Sequence, residues 1–316
     1  MLNLLRRGAP GFGPQVPAAG WLVPKDAVWI DLLNPTREEE LAVETALGVE
    51  LPTAEEMAQI EPSSRLYQEA GATFMTATLL SRADAGPRSV AVTFVLTKSL
   101  LVTIRYDELR AFTVFASHAP AADLASGTSA LLGLLDAVVQ RVAEVLEQQS
   151  DRVEAASAAI FNPPQGRRFE ALLTELAKAQ SVTSMTRTSL VSLSRLLSFA
   201  TLAREIASNR ESKAHLKSLQ NDAQSLTEHA SFQSSHISFL LDAALGLINI
   251  DQNGIIKIFS VMAVIFMPPT LVASIYGMNF HHMPELSWWF GYPLALGLML
   301  LSAVVPVLWF RKRGWF

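Results

Sequence analysis

The residues with the most distinctive chemistry in this chain lie near its C-terminal end, in the sequence Tyr276-Gly277-Met278-Asn279-Phe280. Gly277 offers a backbone carbonyl oxygen and Asn279 adds a side-chain amide oxygen, and both are neutral hydrogen-bond acceptors. When such oxygens are repeated around an axis, they can contact the water shell of a metal cation and leave its inner ligands in place. The motif is therefore a candidate site for a hydrated cation.

Three further polar residues follow the motif within the same short stretch. His281 and His282 carry imidazoles that could coordinate Zn²⁺, Ni²⁺ or Co²⁺, whereas the alternative is a pair of solvated loop residues without a ligand. Glu285 is the only charged residue between residues 258 and 310. Repeated in several subunits, Glu285 would concentrate cations at the outer mouth of a pore, and in a single copy it would be an ordinary loop carboxylate.

Two apolar runs flank these polar residues. No charge occurs in residues 258–276 or in residues 286–310, so each run can cross a hydrocarbon layer of about 30 Å as a helix. Trp288, Trp289 and Trp309 lie near the two ends of the second run, as expected for interfacial aromatic belts. We predict an integral membrane protein with spans at about 258–276 and 288–310, an outer loop at 277–287 and a tail at 311–316.

The distribution of basic residues predicts the orientation of the two spans. Lys257 precedes the first span, three basic residues at 311–313 follow the second, and the loop contains no Lys or Arg. The positive-inside rule then puts both termini in the cytoplasm and the Gly-Met-Asn motif outside. The first twenty residues lack the apolar stretch of a signal peptide, so we expect the soluble part to stay in the cytoplasm.

Composition excludes several classes of function. Three of the 25 basic residues and one of the 29 acidic residues follow residue 257, so the preceding part carries 22 basic and 28 acidic groups and a net charge of −6. That acidity argues against a nucleic-acid partner, because such binding depends on neutralising phosphates. The absence of Cys excludes disulfides and thiolate metal sites. The chain has no phosphate-binding Gly-x-x-x-x-Gly-Lys-Ser/Thr loop and no arrangement of nucleophile and base, so we predict that it is not an enzyme.

The soluble part divides by pattern into a mixed domain and a helical region. We predict an α/β domain over residues 1–125, a helical stalk over 126–257 and the membrane domain over 258–316. Strand patterns occur at 27–32, 73–80, 89–96 and 100–106, and capping-box pairs occur at Thr36 with Glu39 and at Thr53 with Glu56. No proline interrupts the chain from Ser212 to Pro268, which predicts one long helix continuous with the first span.

Two stripes run along this predicted helix. An apolar stripe at three- and four-residue spacing predicts packing against a partner helix; it comprises Leu216, Leu219, Ala223, Leu226, Ala230, Ile237, Leu240, Ala244 and Leu247. The second stripe, nearly opposite, is mostly small and polar and continues through the first span. We name its later members the pore stripe: Asp242, Asn249, Asn253, Ile256, Phe259, Ser260, Ala263, Met267, Thr270 and Ser274. A solvated face or tight helix packing would also explain these residues, but we favour the wall of a water-filled path.

Several motifs together resemble the CorA family of divalent-cation transporters. They are Tyr276-Gly277-Met278-Asn279-Phe280, Met283-Pro284-Glu285-Leu286, Trp288, Gly291-Tyr292-Pro293 and the basic tail. The resemblance is sharpest over residues 249–316 and is less specific over residues 27–34 and the helical middle of the chain. It implies a homopentamer with a funnel-shaped cytosolic part, whose long helices converge on an axial pore lined by the first span.

The resemblance also assigns roles by position. It implies a selectivity filter at Gly277, Met278 and Asn279, a lower pore ring at Asn253, a hydrophobic gate at Ile256 and Phe259, and a mid-pore constriction at Met267. Regulatory Mg²⁺ would bridge subunits at acidic residues, for which Asp222, Asp84 and Glu69 are the candidates. Ordinary surface carboxylates are the alternative for these three.

The implied function is uptake of hydrated Mg²⁺, driven by membrane potential and gated by intracellular Mg²⁺, in a bacterial inner membrane. Co²⁺ and Ni²⁺ are further candidate ions, and no organic cofactor is expected. The implied partners are the lipid bilayer, divalent cations and other copies of the chain. Two alternatives stay open: a Zn²⁺ transporter of the same fold, and a membrane-anchored oligomeric scaffold without a transport role.

Overall fold

A computed structural model of the chain describes residues 1–8, 11–17, 20–59, 61–83, 86–122, 124–162, 169–279 and 281–314. The chain divides into two compact units, Met1–Leu241 and Asp242–Phe316. The first unit holds a β-sheet and the helices that cover it. The second holds the apolar segments predicted to span a membrane.

The first unit is built on a mixed seven-stranded sheet in the order β2-β1-β3-β7-β6-β5-β4. The strands are β1 (Leu2–Arg6), β2 (Gly13–Gln15), β3 (Ala27–Leu33), β4 (Leu66–Glu69), β5 (Ala72–Ala83), β6 (Gly86–Leu96) and β7 (Leu101–Arg105). Strands β3 and β7 pair in parallel, and the other neighbouring strands pair antiparallel. These two strands are mostly apolar and almost wholly buried, as is typical of strands covered on both faces.

Helices occur both beside the sheet and in the region from residue 127 onward. They are α1 (Arg37–Leu47), α2 (Ala54–Ala58), α3 (Pro62–Arg65), α4 (Arg110–His118), α5 (Gly127–Phe161), α6 (Phe169–Ala200), α7 (Arg204–Ala207), α8 (Arg210–Tyr276) and α9 (Gly291–Lys312). Both predicted capping boxes are present: the Thr36 hydroxyl accepts from the amide of Glu39 at 3.3 Å, and the Thr53 hydroxyl accepts from the amide of Glu56 at 3.3 Å. The long helix is confirmed, since α8 continues without a break through Pro268 and Pro269.

Two apolar clusters cover the two faces of the sheet. One cluster packs alternate sheet residues such as Trp29, Phe94 and Leu101 against α4, α5, α6 and the start of α8. The other packs Ile30, Phe74 and Val102 on the opposite face with residues of α1 and α2. Helices α5 and α6 therefore belong to the same compact unit as the sheet, and the predicted boundary at residue 125 marks a change of pattern within that unit.

A buried ion pair joins the two parallel strands. Asp31 is fully buried and receives hydrogen bonds from Arg105 Nε at 3.1 Å and from an Arg105 terminal nitrogen at 2.8 Å. The Thr103 hydroxyl donates to the same carboxylate at 2.8 Å, and Trp29 Nε1 donates to Thr103 at 2.9 Å. A buried pair is stable only with such additional hydrogen bonds, because both charges have lost water.

The first part of the predicted apolar stripe of α8, from Leu216 to Ala230, packs within the first unit. Leu216, Leu219 and Ala223 join the cluster that also contains Leu193 and Leu197 of α6. Further along, Ala230 packs with Val142, Leu146 and Leu190 of α5 and α6. For this first part of the stripe, the partner helices are α5 and α6 of the same chain.

Candidate functional site

The Gly-Met-Asn motif begins where α8 ends. The helix ends at Tyr276, and the amide of Gly277 still donates to the carbonyl oxygen of Ala273 at 3.0 Å. The amide of Met278 donates to the carbonyl of Ile275 at 3.2 Å, so the first two motif residues are held by the last helical turn. All three motif residues are exposed, and Phe280 lies outside the described residues.

Gly277 has little room for a larger residue. A β-carbon at this position would lie 3.1 Å from the carbonyl oxygen of Ala273 and 3.6 Å from that of Ser274. These oxygens belong to the helix backbone and cannot rotate away as a side chain would. A side chain here would require the backbone to shift by a few tenths of an ångström, so glycine favours the close path of the motif along the helix end.

Glu285 lies in a 3₁₀ turn, Pro284–Ser287, between the two membrane helices. The turn is closed by hydrogen bonds from Leu286 N to Met283 O at 3.2 Å and from Trp288 N to Glu285 O at 3.3 Å. A β-carbon on Gly291 would overlap the carbonyl oxygen of Glu285. The first residue of α9 thus packs directly on the turn that carries Glu285, and residues 288–290 of the predicted second span form the bend before the helix.

The single charged position of the loop is therefore placed by backbone contacts, which sequence reasoning did not predict. The available signals were Pro284 at the first position of a short turn and a glycine six residues after Glu285. Neither signal specifies that the two backbones meet, because the contact depends on the path of the chain between them.

Both membrane helices expose most of their apolar side chains. Helices α8 and α9 each contain a segment long and apolar enough to span a membrane. Within the second unit, Val261 of α8 and Ala295 and Phe310 of α9 are buried. Partly buried positions repeat around Val261 at three- and four-residue spacing, including Ile265, Pro268, Val272 and Tyr276. These positions define the covered face of the membrane part of α8.

The pore stripe lies on the other side of α8. All ten of its residues are exposed, from Asp242 to Ser274. At 3.6 residues per turn, the stripe within the span is centred roughly 180° from the face that contains Val261. Its large apolar members are as open as its polar ones, since Ile256 is 60% exposed, Phe259 68% and Met267 67%. Within the described part of the chain, the stripe is therefore not covered by other residues.

Two of the three candidate regulatory acids lie in the described part of the chain. Asp222 on α8 and Glu69 at the end of β4 are both exposed, whereas Asp84 lies outside the described residues. Among the described residues, no group of three or more His, Cys, Asp or Glu is arranged to hold a metal ion. His281 and His282 are exposed, and the ring of His282 contacts the carbonyl of His281 at 3.0 Å.

Comparisons with known proteins decide the family. The sequence pattern of the family described as CorA-like Mg²⁺ transporter protein matches residues 24–312. The magnesium transport protein CorA of Yersinia pseudotuberculosis is 36% identical over 292 residues, which cover 92% of each chain. This chain belongs to the CorA family.

CorA membership confirms the coarse functional predictions. The protein is a CorA-family Mg²⁺ transporter with two candidate transmembrane helices, and it is not an enzyme. The CorA of Salmonella typhimurium is similarly related, at 35% identity over 293 residues and 92% of each chain.

Solved structures agree on the CorA fold. The complete structure of the CorA magnesium transporter from Methanocaldococcus jannaschii matches with a TM-score of 0.78 at 18% identity, covering 100% of this chain and 99% of that one. The ZntB cytoplasmic domain from Vibrio parahaemolyticus matches with a TM-score of 0.60 at 11% identity, covering 80% of this chain and 100% of that domain. The predicted fold class, an N-terminal α/β domain with a long helix that continues into the first of two spans, is confirmed.

Proposed function

We propose that five copies of this CorA chain form a channel for uptake of hydrated Mg²⁺. The observation that carries the proposal is the pore stripe, which is exposed along the whole membrane part of α8 on the face turned away from the buried Val261. In a ring of such helices, the stripe would face the axis and the remaining apolar surface would face lipid. No Asp or Glu occurs within either span, so the membrane part of the path offers neutral oxygens and apolar side chains only.

The filter would act on the hydration shell of the ion. Mg²⁺ requires octahedral oxygen ligands and exchanges its water reluctantly, so rapid passage favours contact with the shell over replacement of it. Gly277 contributes a carbonyl and Asn279 an amide oxygen at an exposed helix end, and Met278 lies between them. Five copies of Glu285 near this ring would raise the local cation concentration without binding an ion inside the pore.

The driving force would be the membrane potential. A divalent ion that falls through 100 mV gains about 4.6 kcal/mol, twice the value of about 2.3 kcal/mol for one charge. Uptake then needs no nucleotide hydrolysis. We place the protein in a bacterial inner membrane because the similar CorA proteins are bacterial. The distribution of Lys and Arg around the spans then puts both termini in the cytoplasm.

The gate would be an apolar collar near the cytoplasmic end of the first span. Ile256 and Phe259 are one helical turn apart, and Asn253 precedes them by another turn. Five copies of each apolar side chain would exclude water when the helices approach, which stops a strongly hydrated ion. Intracellular Mg²⁺ bound between subunits, with Asp222, Asp84 or Glu69 as ligands, would favour the closed arrangement.

Ion flux into proteoliposomes that contain the purified chain tests this function directly. We expect Mg²⁺ uptake that rises with an inside-negative potential, with Co²⁺ and Ni²⁺ as slower or competing ions. Zn²⁺ uptake that exceeds Mg²⁺ uptake would instead support the zinc alternative, for which the exposed His281-His282 pair is the specific observation. If no divalent ion enters while the protein is assembled and folded, the channel proposal is wrong and the scaffold alternative stands.

A further inference from the structure

A cavity of about 340 Å³ lies in the first unit, between the sheet and the helices. Its walls are the far end of the β5–β6 pair, the first turn of α4, one face of α5 and Val182 of α6. Leu79, Val138, Val142 and Val145 supply an apolar floor. The volume lies at the lower end of the range of about 300–1,000 Å³ that is typical of small-molecule sites.

The rim of this cavity is basic. Arg110, Arg141 and Arg152 all line it, and no Asp or Glu is among the described lining residues. Arg141 is engaged by Glu144, with 2.7 Å between its guanidinium nitrogen and the carboxylate oxygen. Within the described part of the chain, Arg110 and Arg152 have no carboxylate within 4.0 Å. Two guanidinium groups are therefore available in an otherwise acidic protein.

The start of α4 adds backbone donors to the same rim. The residue before the helix, Leu109, provides no side-chain cap, and its carbonyl accepts from the amides of Phe112 and Thr113. The amides of Arg110 and Ala111 have no acceptor among the described residues, and both residues line the cavity. Free amides at a helix N-terminus favour an anion, and here they adjoin an arginine side chain.

A buried side chain of the cavity lacks a partner. Gln149 is 4% exposed, lines the cavity between Arg141 and Arg152, and its Oε1 atom has no hydrogen-bond partner among the described residues. Buried amide oxygens of this kind are normally paired with a donor. A ligand that fills the cavity and carries a hydroxyl or amino group would supply that donor.

We propose that this cavity binds a small organic phosphate of the nucleoside monophosphate class. The phosphate would be held by Arg110, Arg152 and the first amides of α4, since guanidinium groups and helix N-termini both suit phosphate oxygens. The body of the ligand would cover the apolar floor, and one of its hydroxyl or amino groups would donate to Gln149. All of these residues lie within Met1–Leu241, so the proposal does not depend on the transport function.

Calorimetric titration of AMP into the purified full-length protein, at fixed free Mg²⁺, tests the site. We expect a dissociation constant below about 100 µM, and binding at least about tenfold weaker for adenosine and for inorganic phosphate alone. Hexyl phosphate has an apolar body without a donor, so it should also bind more weakly than AMP. Tighter binding of hexyl phosphate would overturn the nucleotide assignment in favour of a lipid-like phosphate, and no AMP binding below about 1 mM would overturn the site itself.

Paired variants separate the site from general charge effects. Replacing both Arg110 and Arg152 with Ala should weaken AMP binding at least about tenfold. The matched control replaces Arg187 and Arg204, which are exposed and do not line the cavity, and should leave binding unchanged. Gln149→Leu should weaken AMP but not inorganic phosphate. Circular dichroism and the thermal midpoint establish that each variant is folded, and unchanged AMP binding in a folded Arg110/Arg152 variant would contradict the proposal.

Discussion

Asn279 is exposed, and the two residues before it, Gly277 and Met278, donate backbone hydrogen bonds to the last turn of α8. The side chain is free to face an ion, while its distance from the helix end is fixed by two intervening residues. Glu285 differs in that its backbone is packed against Gly291, whereas its carboxylate has no ion-pair partner among the described residues. Substitutions of Asn279 and of Glu285 should therefore have different effects on Mg²⁺ transport.

Asn279→Ala should abolish most Mg²⁺ flux without loss of assembly. The change removes one hydrogen bond to the hydration shell in each subunit, about 1 kcal/mol each, and the loss is repeated around the ring. Flux per assembled oligomer in proteoliposomes measures the effect. The same substitution at Asn221, which is exposed on α8 in the first unit, is the control. Normal flux in the Asn279 variant would exclude the proposed contact with the hydrated ion.

Glu285→Gln should lower the apparent affinity for Mg²⁺ at low salt and matter less as ionic strength rises. The reason is that a loop charge in contact with solvent acts over a distance set by screening, about 10 Å at 0.1 M salt. Uptake rates at several Mg²⁺ and salt concentrations provide the measurement, with Glu154→Gln on α5 as a control for net charge. Loss of flux at every salt concentration would show that Glu285 is a direct ligand.

Helix α8 has two exposed apolar positions side by side in sequence at the proposed gate. Ile258 and Phe259 are 62% and 68% exposed, but they point about 100° apart around the helix. Only Phe259 belongs to the pore stripe. Comparing substitutions at these two positions therefore distinguishes a residue that lines the pore from one that contacts lipid.

Phe259→Ser should give a leaky channel, with raised basal flux and weaker inhibition by internal Mg²⁺, because the apolar collar can no longer exclude water. Ile258→Ser should leave flux per oligomer unchanged. If Phe259 instead packs against a neighbouring helix, its truncation costs about 3 kcal/mol of packing and lowers the yield of oligomer. Reduced yield with unchanged flux per oligomer would remove Phe259 from the gate.

Gly291→Ala should displace the 3₁₀ turn that carries Glu285. The added methyl group overlaps a backbone oxygen, so either α9 or the turn must shift, at a cost of about 1–3 kcal/mol. We expect a lower thermal midpoint together with the reduced Mg²⁺ affinity of the Glu285 variant. Gly297→Ala on the same helix is the matched control, because a β-carbon there meets no atom within 4 Å. Equal behaviour of the two variants would contradict the positioning role of Gly291.

Local sequence patterns predicted some helices and strands but not others. The capping boxes at Thr36 and Thr53 and the strand at 27–32 were evident because each depends on neighbouring residues only. Strands β1, β2 and β4 were missed because they have only three to five residues and no clear alternation. The Asp31–Arg105 pair and the basic cavity depend on residues far apart in sequence, so no local pattern indicates them.

The molecule as a whole exposes more apolar surface than a single copy in water would tolerate. Large apolar residues are exposed throughout the second unit, among them Phe266, Leu271, Leu300 and Leu308. Contiguous apolar surface of this kind indicates contact with lipid or with other copies. The family and the two apolar spans could be predicted from sequence. The number of copies in the assembly rests on the family resemblance, because the sequence of one chain does not specify how many copies associate.

The orientation of the whole chain can be measured with a single thiol. The sequence contains no Cys, so His282→Cys introduces a unique reactive site in the loop. We expect a membrane-impermeant thiol reagent to label it in intact cells. Ser208→Cys, exposed in the first unit, should be labelled only after lysis. The opposite pattern would reverse the predicted topology.

The parallel pairing of β3 with β7 also has a consequence for the order in which the chain is made. Residue 30 cannot pair with residue 102 until residue 102 has been synthesised. The sheet is therefore completed only well after its first strands have been made. The first apolar span begins roughly 150 residues after β7, which at about 5–20 residues per second corresponds to roughly 8–30 s of further translation. The sheet, with its internal Asp31–Arg105 pair, thus has time to form beside the ribosome before any membrane helix exists. Insertion into the bilayer would then act on a chain whose sheet has had time to fold.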